Sequence, residues 1–248
     1  MSFPRWSRSK RSERTAVLLL AIDTAGSRCS ACLFDPKTRQ VLARADPDIG
    51  KGHAERLMDD VAGLLGEAGA TYADLTRLAV VVGPGSFTGL RVGVAAVRGL
   101  SLALGLPALG VGTLEALAEP HRGGGLPVLA VLDAKRGEIY AALHDSDGTE
   151  ILEPTALAPA DLPGFLAGFE EGASLIVTGS GASIAADALA GRWPVRAMPE
   201  AYVDIAAVAR IAASREPGAV PSPLYLRGAD AKPPTRAAIE RIAMDAPR

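Results

Sequence analysis

Apolar and polar positions follow two rhythms along this 248-residue chain, and the order in which the rhythms change carries the first information about its fold. Short apolar runs bounded by turn residues come first. VLLLAID (17–23), RCSACLFD (28–35) and QVLARAD (40–46), joined by AGS and DPKT, read as three strands. From His53 to Ala68 the period lengthens to that of a helix, with Leu57, Val61, Leu64 and Ala68 on one stripe and Met58 and Leu65 beside it. LAVVVG (78–83) is apolar on both faces, the pattern of a buried strand, and Ser86 to Leu104 reads as a second helix. The order is β-β-β-α-β-α.

The second half repeats that order. PVLAVLDA (127–134), GEIYAALHD (137–145) and TEILEP (149–154) read as strands, ADLPGFLAGF as a helix, SLIVTG (174–179) as a strand and SIAADALA as another helix. The opening hairpins align most closely. Asp23 precedes Asp35 by the interval that separates Asp133 from Asp145, and Ala31 and Leu33 correspond to Ala141 and Leu143. The pattern predicts an α/β protein of the actin-like ATPase (ribonuclease H-like) fold, built from two related β-β-β-α-β-α lobes. A basic tail at 1–14, expected to be disordered, precedes a first lobe at 15–110; the second lobe with a C-terminal segment spans 111–248, the boundary falling near the Gly-rich stretch before Gly125.

Composition narrows the function. With 48% hydrophobic and 22% charged residues, the chain has the make-up of a globular protein. The formal net charge is −2, and the tail concentrates Arg5, Arg8, Lys10, Arg11 and Arg14 against Glu13, so the remainder is acidic and shows no broad basic face for nucleic acid. Asp23 cuts short the apolar run after the tail, which argues against a signal peptide. Arg98 interrupts the long apolar stretch from Val94 to Leu109, which argues against a membrane span. Cys29 and Cys32 are the only cysteines. They sit in a strand pattern where residues three apart point to opposite faces, so two core thiols in a reducing cytoplasm are expected rather than a redox pair or half a zinc site.

The segment GPGSFTGLR (83–91) joins a strand to a helix through glycines, the order of parts of a phosphate loop. Spacing tests the analogy. Five residues separate Gly83 and Gly89, and Leu90-Arg91 follow, so the P-loop pattern fails; Gly83, Gly85 and Gly89 overshoot the dinucleotide fingerprint by one residue; Pro84 and Thr88 stand where a nucleophile elbow needs glycines. What remains is a tight turn at Gly83 to Gly85 with Ser86 or Thr88 capping the helix. Gly89 and Gly93 lie one turn apart in that helix, and Ala96, Gly99 and Ala103 extend a small-residue surface, which permits close approach by another helix. With so few polar side chains, the helix is expected to be covered on two sides, one by its own sheet and the other by a second subunit.

LLLAIDTAGSRCSACL, GHAERLMDDV, the whole run from VVVGPGSFTGLR to VGTLEALA, and VLDAKRGEIYAAL together resemble the TsaB family, the bacterial dimerisation subunits of tRNA threonylcarbamoyladenosine synthesis; PLYLRGADAK (223–232) resembles that family's closing segment. The resemblance implies a noncatalytic scaffold and activator in the cytoplasm. It implies a homodimer when alone, a heterodimer with the catalytic paralogue TsaD, assembly with the ATPase TsaE, and contact with tRNA only through the complex. It implies no cofactor and no membrane. The implied partner surface comprises His53, Leu57, Val61 and Leu64 of the first helix with Gly89, Leu90, Gly93, Val94, Val97 and Arg98 of the second. In TsaD the metal site resembles H-x-x-x-H; here Leu57 stands where the second histidine would be, and an aliphatic side chain cannot hold a metal. Asp23, Thr24 and Asp133 match the phosphate hairpins of actin-like ATPases and are the candidates for nucleotide binding, with VTGSGA (177–182) as a generic adenosine loop. They keep an ATPase or phosphotransferase alternative open. A third reading, a metallopeptidase, lacks a ligand cluster.

Overall fold

A computed structural model describes residues 17–200 and 202–227. The tail predicted at 1–14 and the end of the PLYLRGADAK segment lie outside the described residues. Strands β1 (Leu18–Asp23), β2 (Ser30–Asp35), β3 (Gln40–Ala45), β4 (Leu75–Gly83) and β5 (Ala108–Gly112) form one sheet, with α1 (His53–Glu67) and α2 (Phe87–Leu104) between them in sequence. After α3 (Thr113–Ala118), strands β6 (Val128–Lys135), β7 (Glu138–His144), β8 (Glu150–Leu157), β9 (Leu175–Thr178) and β10 (Val195–Met198) form the second, with α4 (Leu162–Phe165), α5 (Ala182–Leu189) and α6 (Ile205–Ser214).

The two sheets have the same topology. The first runs β3-β2-β1-β4-β5 and the second β8-β7-β6-β9-β10. In each, the hairpin strands pair antiparallel and the last two add in parallel to the first strand. This duplicated mixed α/β architecture is the actin-like, ribonuclease H-like fold. Each lobe also carries a fifth strand and a closing helix that the sequence pattern does not predict. The helix predicted over ADLPGFLAGF shrinks to the four residues of α4, preceded by a 3₁₀ turn at Pro159–Asp161, because Pro163 and Gly164 limit it.

The closing helices are exchanged. α3 follows the first sheet but packs mainly on β6 and β7 of the second, whereas α6 follows the second and packs on β1, β2, β4 and β5 of the first. Both are therefore sandwiched between the sheets. There Leu114 and Leu117 of α3 meet Ile205, Val208 and Ile211 of α6 in a core shared with Leu19 and Phe34 of the first sheet and Val128 and Ala130 of the second. A second core lies under α1 and α2 on the outer face of the first sheet, and a third under α4 and α5 on the outer face of the second. Because β1 is covered on both faces, Leu19, Leu20 and Ile22 are each fully buried, contributing about 2 kcal/mol apiece.

Candidate functional site

The glycine turn is built around close contacts with the β1–β2 connection. β4 ends at Gly83, whose φ of 120° is open to glycine and strained for other residues, and the Gly83–Pro84 bond is cis. Ser86 donates its backbone N–H to the Ala25 carbonyl at 2.7 Å, and its side chain caps α2 by accepting from the Gly89 N–H at 3.3 Å. Thr88 lies exposed in the first turn and does not cap. Gly89 lies directly on the Thr24 carbonyl, and a Cβ on Gly93 would come within 2.5 Å of Thr24 Oγ1. Thr24 is 1% exposed and donates its hydroxyl to the Gly89 carbonyl at 2.7 Å. It is a strut between the hairpin and α2, which removes it from the candidates for nucleotide binding. Gly89 and Gly93 are small because their own chain crosses them.

That geometry corrects the predicted partner surface. His53, Leu57, Val61 and Leu64 are the buried side of α1, and Gly89, Leu90, Gly93, Val94 and Val97 the buried side of α2, all covered within the chain. An apolar stripe on a helix faces its own sheet first, and Gly89 and Gly93 of α2 serve Thr24. Of the predicted set, Arg98 is exposed. The outward sides are different residues: Met58 at 40% exposure on α1, and Ala95, Gly99, Leu102 and Ala103 on α2, with Leu102 87% exposed. By length and composition α2 could cross a membrane, but its Leu90, Val94 and Val97 side is spent on the sheet. His53 does not offer its ring to a partner either, since Nε2 bonds the Arg28 carbonyl at 3.1 Å.

Between the lobes lies a cleft of about 960 Å³ that brings Asp23 and Asp133 to one cavity. The two carboxyls differ. Asp23 is buried at the end of β1, and burial pushes its pKa up to about 6, opposed by the Ala25 N–H that one oxygen accepts at 2.8 Å and reinforced by the nearby Asp46. Asp133 instead bonds Lys135 twice, accepting from its backbone N–H at 2.8 Å and from Nζ at 2.7 Å, and is held below the usual carboxylate range. The VTGSGA turn packs on β6, where Gly179 and Gly181 lie against Val131 and Gly181 N–H bonds its carbonyl at 3.0 Å, while Ser180 lines the cleft and accepts the Asp133 N–H at 3.2 Å. Among the described residues no group of three His, Cys, Asp or Glu side chains is placed to hold a metal.

The cleft draws on groups that sequence reasoning missed. Tyr202 and Tyr225 come from irregular segments, and Thr113 from the start of α3. Tyr225 belongs to a strap that crosses the mouth: Leu224 N–H bonds the Val82 carbonyl at 2.7 Å, Tyr225 accepts from Arg91 Nε at 3.1 Å and packs on Phe87, and Arg227 pairs with Glu138 of the second lobe. The PLYLR string was visible, but periodicity places nothing in an irregular strap.

A protein-family profile described as "TsaD: tRNA N6-adenosine threonylcarbamoyltransferase" matches residues 47–173, just over half of the chain. The tRNA threonylcarbamoyladenosine biosynthesis protein TsaB of Escherichia coli (strain K12) is 37% identical over 131 residues, covering 52% of this chain and 55% of that protein. The chain belongs to the TsaB family. An uncharacterized protein of Mycobacterium tuberculosis (strain ATCC 25618 / H37Rv) is 36% identical over 215 residues, 87% of this chain and 94% of the relative. YeaZ from Pseudomonas aeruginosa superposes with a TM-score of 0.72 at 28% identity, covering 85% of this chain and all of that one. The match to the E. coli TsaB thus spans about half of each protein, whereas the M. tuberculosis and P. aeruginosa matches span nearly all of theirs. As a TsaB-family member, the chain takes part in tRNA threonylcarbamoyladenosine biosynthesis, and the match to the TsaD profile suggests a TsaD-associated role.

Proposed function

We propose that this TsaB-family chain is a noncatalytic scaffold and activator that pairs with TsaD through the outward faces of α1 and α2. In this reading it forms a homodimer through the same faces when alone, joins TsaE in the complex, and acts in the cytoplasm without a cofactor of its own. The observation that carries the reading is a set of helix glycines with no use inside the chain, Gly63 and Gly66 of α1 and Gly99 of α2. A Cβ built on Gly63 of α1 or Gly99 of α2 meets nothing within 4 Å. An interior helix glycine costs about 1 kcal/mol relative to alanine; Gly89 and Gly93 offset it by packing on Thr24, whereas Gly63 and Gly99 offset it only if another backbone approaches. They sit on helices that also expose Met58 and Leu102. Gly99→Glu should leave the circular dichroism spectrum and the cooperativity of unfolding intact while abolishing association with TsaD. Unchanged association by light scattering would show that the interface lies elsewhere.

The shared cleft lends a second reading some support, that of an ATPase or phosphotransferase using Asp23 and Asp133. Against it stand the Lys135 ammonium that occupies Asp133 and the desolvated Asp23 with an acidic neighbour. It predicts magnesium-dependent ATP turnover by the isolated chain, lost in Asp23→Ala.

A further inference from the structure

The charges around the cleft balance except at one point. Lys135 is paired with Asp133, Arg28 with Asp46, and Arg227 with Glu138. Asp23 also lines the cavity, yet among the described residues no basic side chain pairs with it, and the acid nearest in effect is Asp46, which repels it. Among the described residues it accepts a hydrogen bond from the Ala25 N–H alone, although it is only 8% exposed. A buried carboxylate without a counter-charge is costly, and the cost is relieved by a cation brought into contact with it.

Arg28 and Thr113 also line the cavity, but Arg28 Nε and Thr113 Oγ1 are sealed inside the protein without a hydrogen-bond partner and do not face the open space. The walls are aromatic out of proportion to the composition: Tyr140, Tyr202 and Tyr225, three of the chain's four tyrosines, line the cavity with Phe87. Arg28 already lies over the Tyr202 ring at 4.0 Å and Arg91 over Phe87 at 3.8 Å, so Tyr140 and Tyr225 are the rings left to receive a cation or a flat apolar body. The volume lies within the range of small-molecule sites, roughly 300–1,000 Å³.

From this arrangement we infer that the interlobe cleft is a binding site for a positively charged organic amine, its ammonium on Asp23 and its body against the tyrosines. The site carries one free charge, and that charge is negative, so a nucleoside triphosphate is the wrong class of ligand for it. The inference is independent of the pairing role, since none of Met58, Gly63, Gly99 and Leu102 lines the cleft.

Tyramine carries an ammonium, an aromatic body and a hydroxyl, and serves as the probe; N-acetyltyramine is the same body without the charge. Isothermal titration of the full chain should show tyramine binding, weakened at least about tenfold by acetylation. Asp23→Asn should weaken tyramine binding to the same extent, and Leu132→Trp, which fills the cleft from the second lobe, should abolish it. The proposal is overturned by equal affinity for the acetylated probe, by undiminished binding to Asp23→Asn or Leu132→Trp, by no tyramine binding up to about 10 mM, or by tighter binding of ATP with magnesium than of tyramine.

Discussion

Replacing Asp23 by asparagine should make the protein markedly more stable at pH 7.5 and little different near pH 4. Burial raises the Asp23 pKa from 3.8 to about 6. Between those values the folded protein keeps a proton that the unfolded chain has released. The stability this contributes is complete below pH 3.8 and is lost as pH rises through about 6; above that, folding must bury the anion. At about 1.4 kcal/mol per unit, the cost at pH 7.5 is about 3 kcal/mol. Asparagine does not ionise, and it keeps an oxygen to accept the Ala25 N–H bond, 2.8 Å in the native protein. In a domain of this size 1 kcal/mol moves Tm by about 2–4 °C, so the variant should melt about 6–12 °C higher at pH 7.5. Thermal melts of both proteins across pH 4–8 test this, because titrations common to the two cancel in the difference. An equal shift at every pH, or a lower Tm at pH 7.5, would refute the claim that an uncompensated buried charge sits in the cleft.

Other groups give further expectations. His144 is 2% exposed with Nδ1 unpartnered, and burial, aided by Arg215, lowers its pKa from 6.5 to about 4; the unfolded chain therefore takes up a proton first, and stability should fall by about 3 kcal/mol as pH drops from 6.5 to 4, a slope that urea titrations should find flattened in His144→Leu. Gly89→Ala should cost at least about 3 kcal/mol because its Cβ would meet the Thr24 carbonyl, a backbone atom that cannot swing away, whereas Gly99→Ala should stabilise the dissociated monomer by up to about 1 kcal/mol; chemical denaturation at a dilution where the chain is monomeric separates the two, and similar effects at both positions would contradict the packing account. Burial pushes Cys29 up to about 11 and Cys32 to about 12, so neither thiol should react with a disulfide reagent at pH 8 until urea is added.

Periodicity was enough for the strands and helices that show one polar side. The opening hairpins and the stripe on α1 were legible for that reason. α6 was not, because from Ile205 to Ala212 every residue but Arg210 is buried between two sheets; a helix with a single polar position shows little stripe, and only the Asp204 cap, which accepts the Ala206 N–H at 3.1 Å, marked its start. β5 is five residues with two glycines, and β10 is four, too short for alternation to register. At the site, the sequence brought Asp23 and Asp133 forward through hairpin symmetry, but nothing in it distinguished a carboxyl held by Lys135 from one left unpaired. Nor could spacing say whether the small residues of α2 faced a partner or Thr24, since both demand the same absence of side chain. The difference between Gly93 and Gly99 becomes visible only when the β1–β2 turn is seen lying on one and not on the other.

The central claim is that this chain acts through its outward helix faces and not through catalysis. Its most direct test is reconstitution: purified TsaD, TsaE and the carbamoyl-adenylate synthase with tRNA, ATP, threonine and bicarbonate, scored for modified adenosine without the chain, with it, and with Gly99→Glu. The account predicts modification only with the native chain, loss of modification with the folded variant, and no ATP turnover by the chain alone. Equal modification in the chain's absence, or full support from Gly99→Glu, would contradict it.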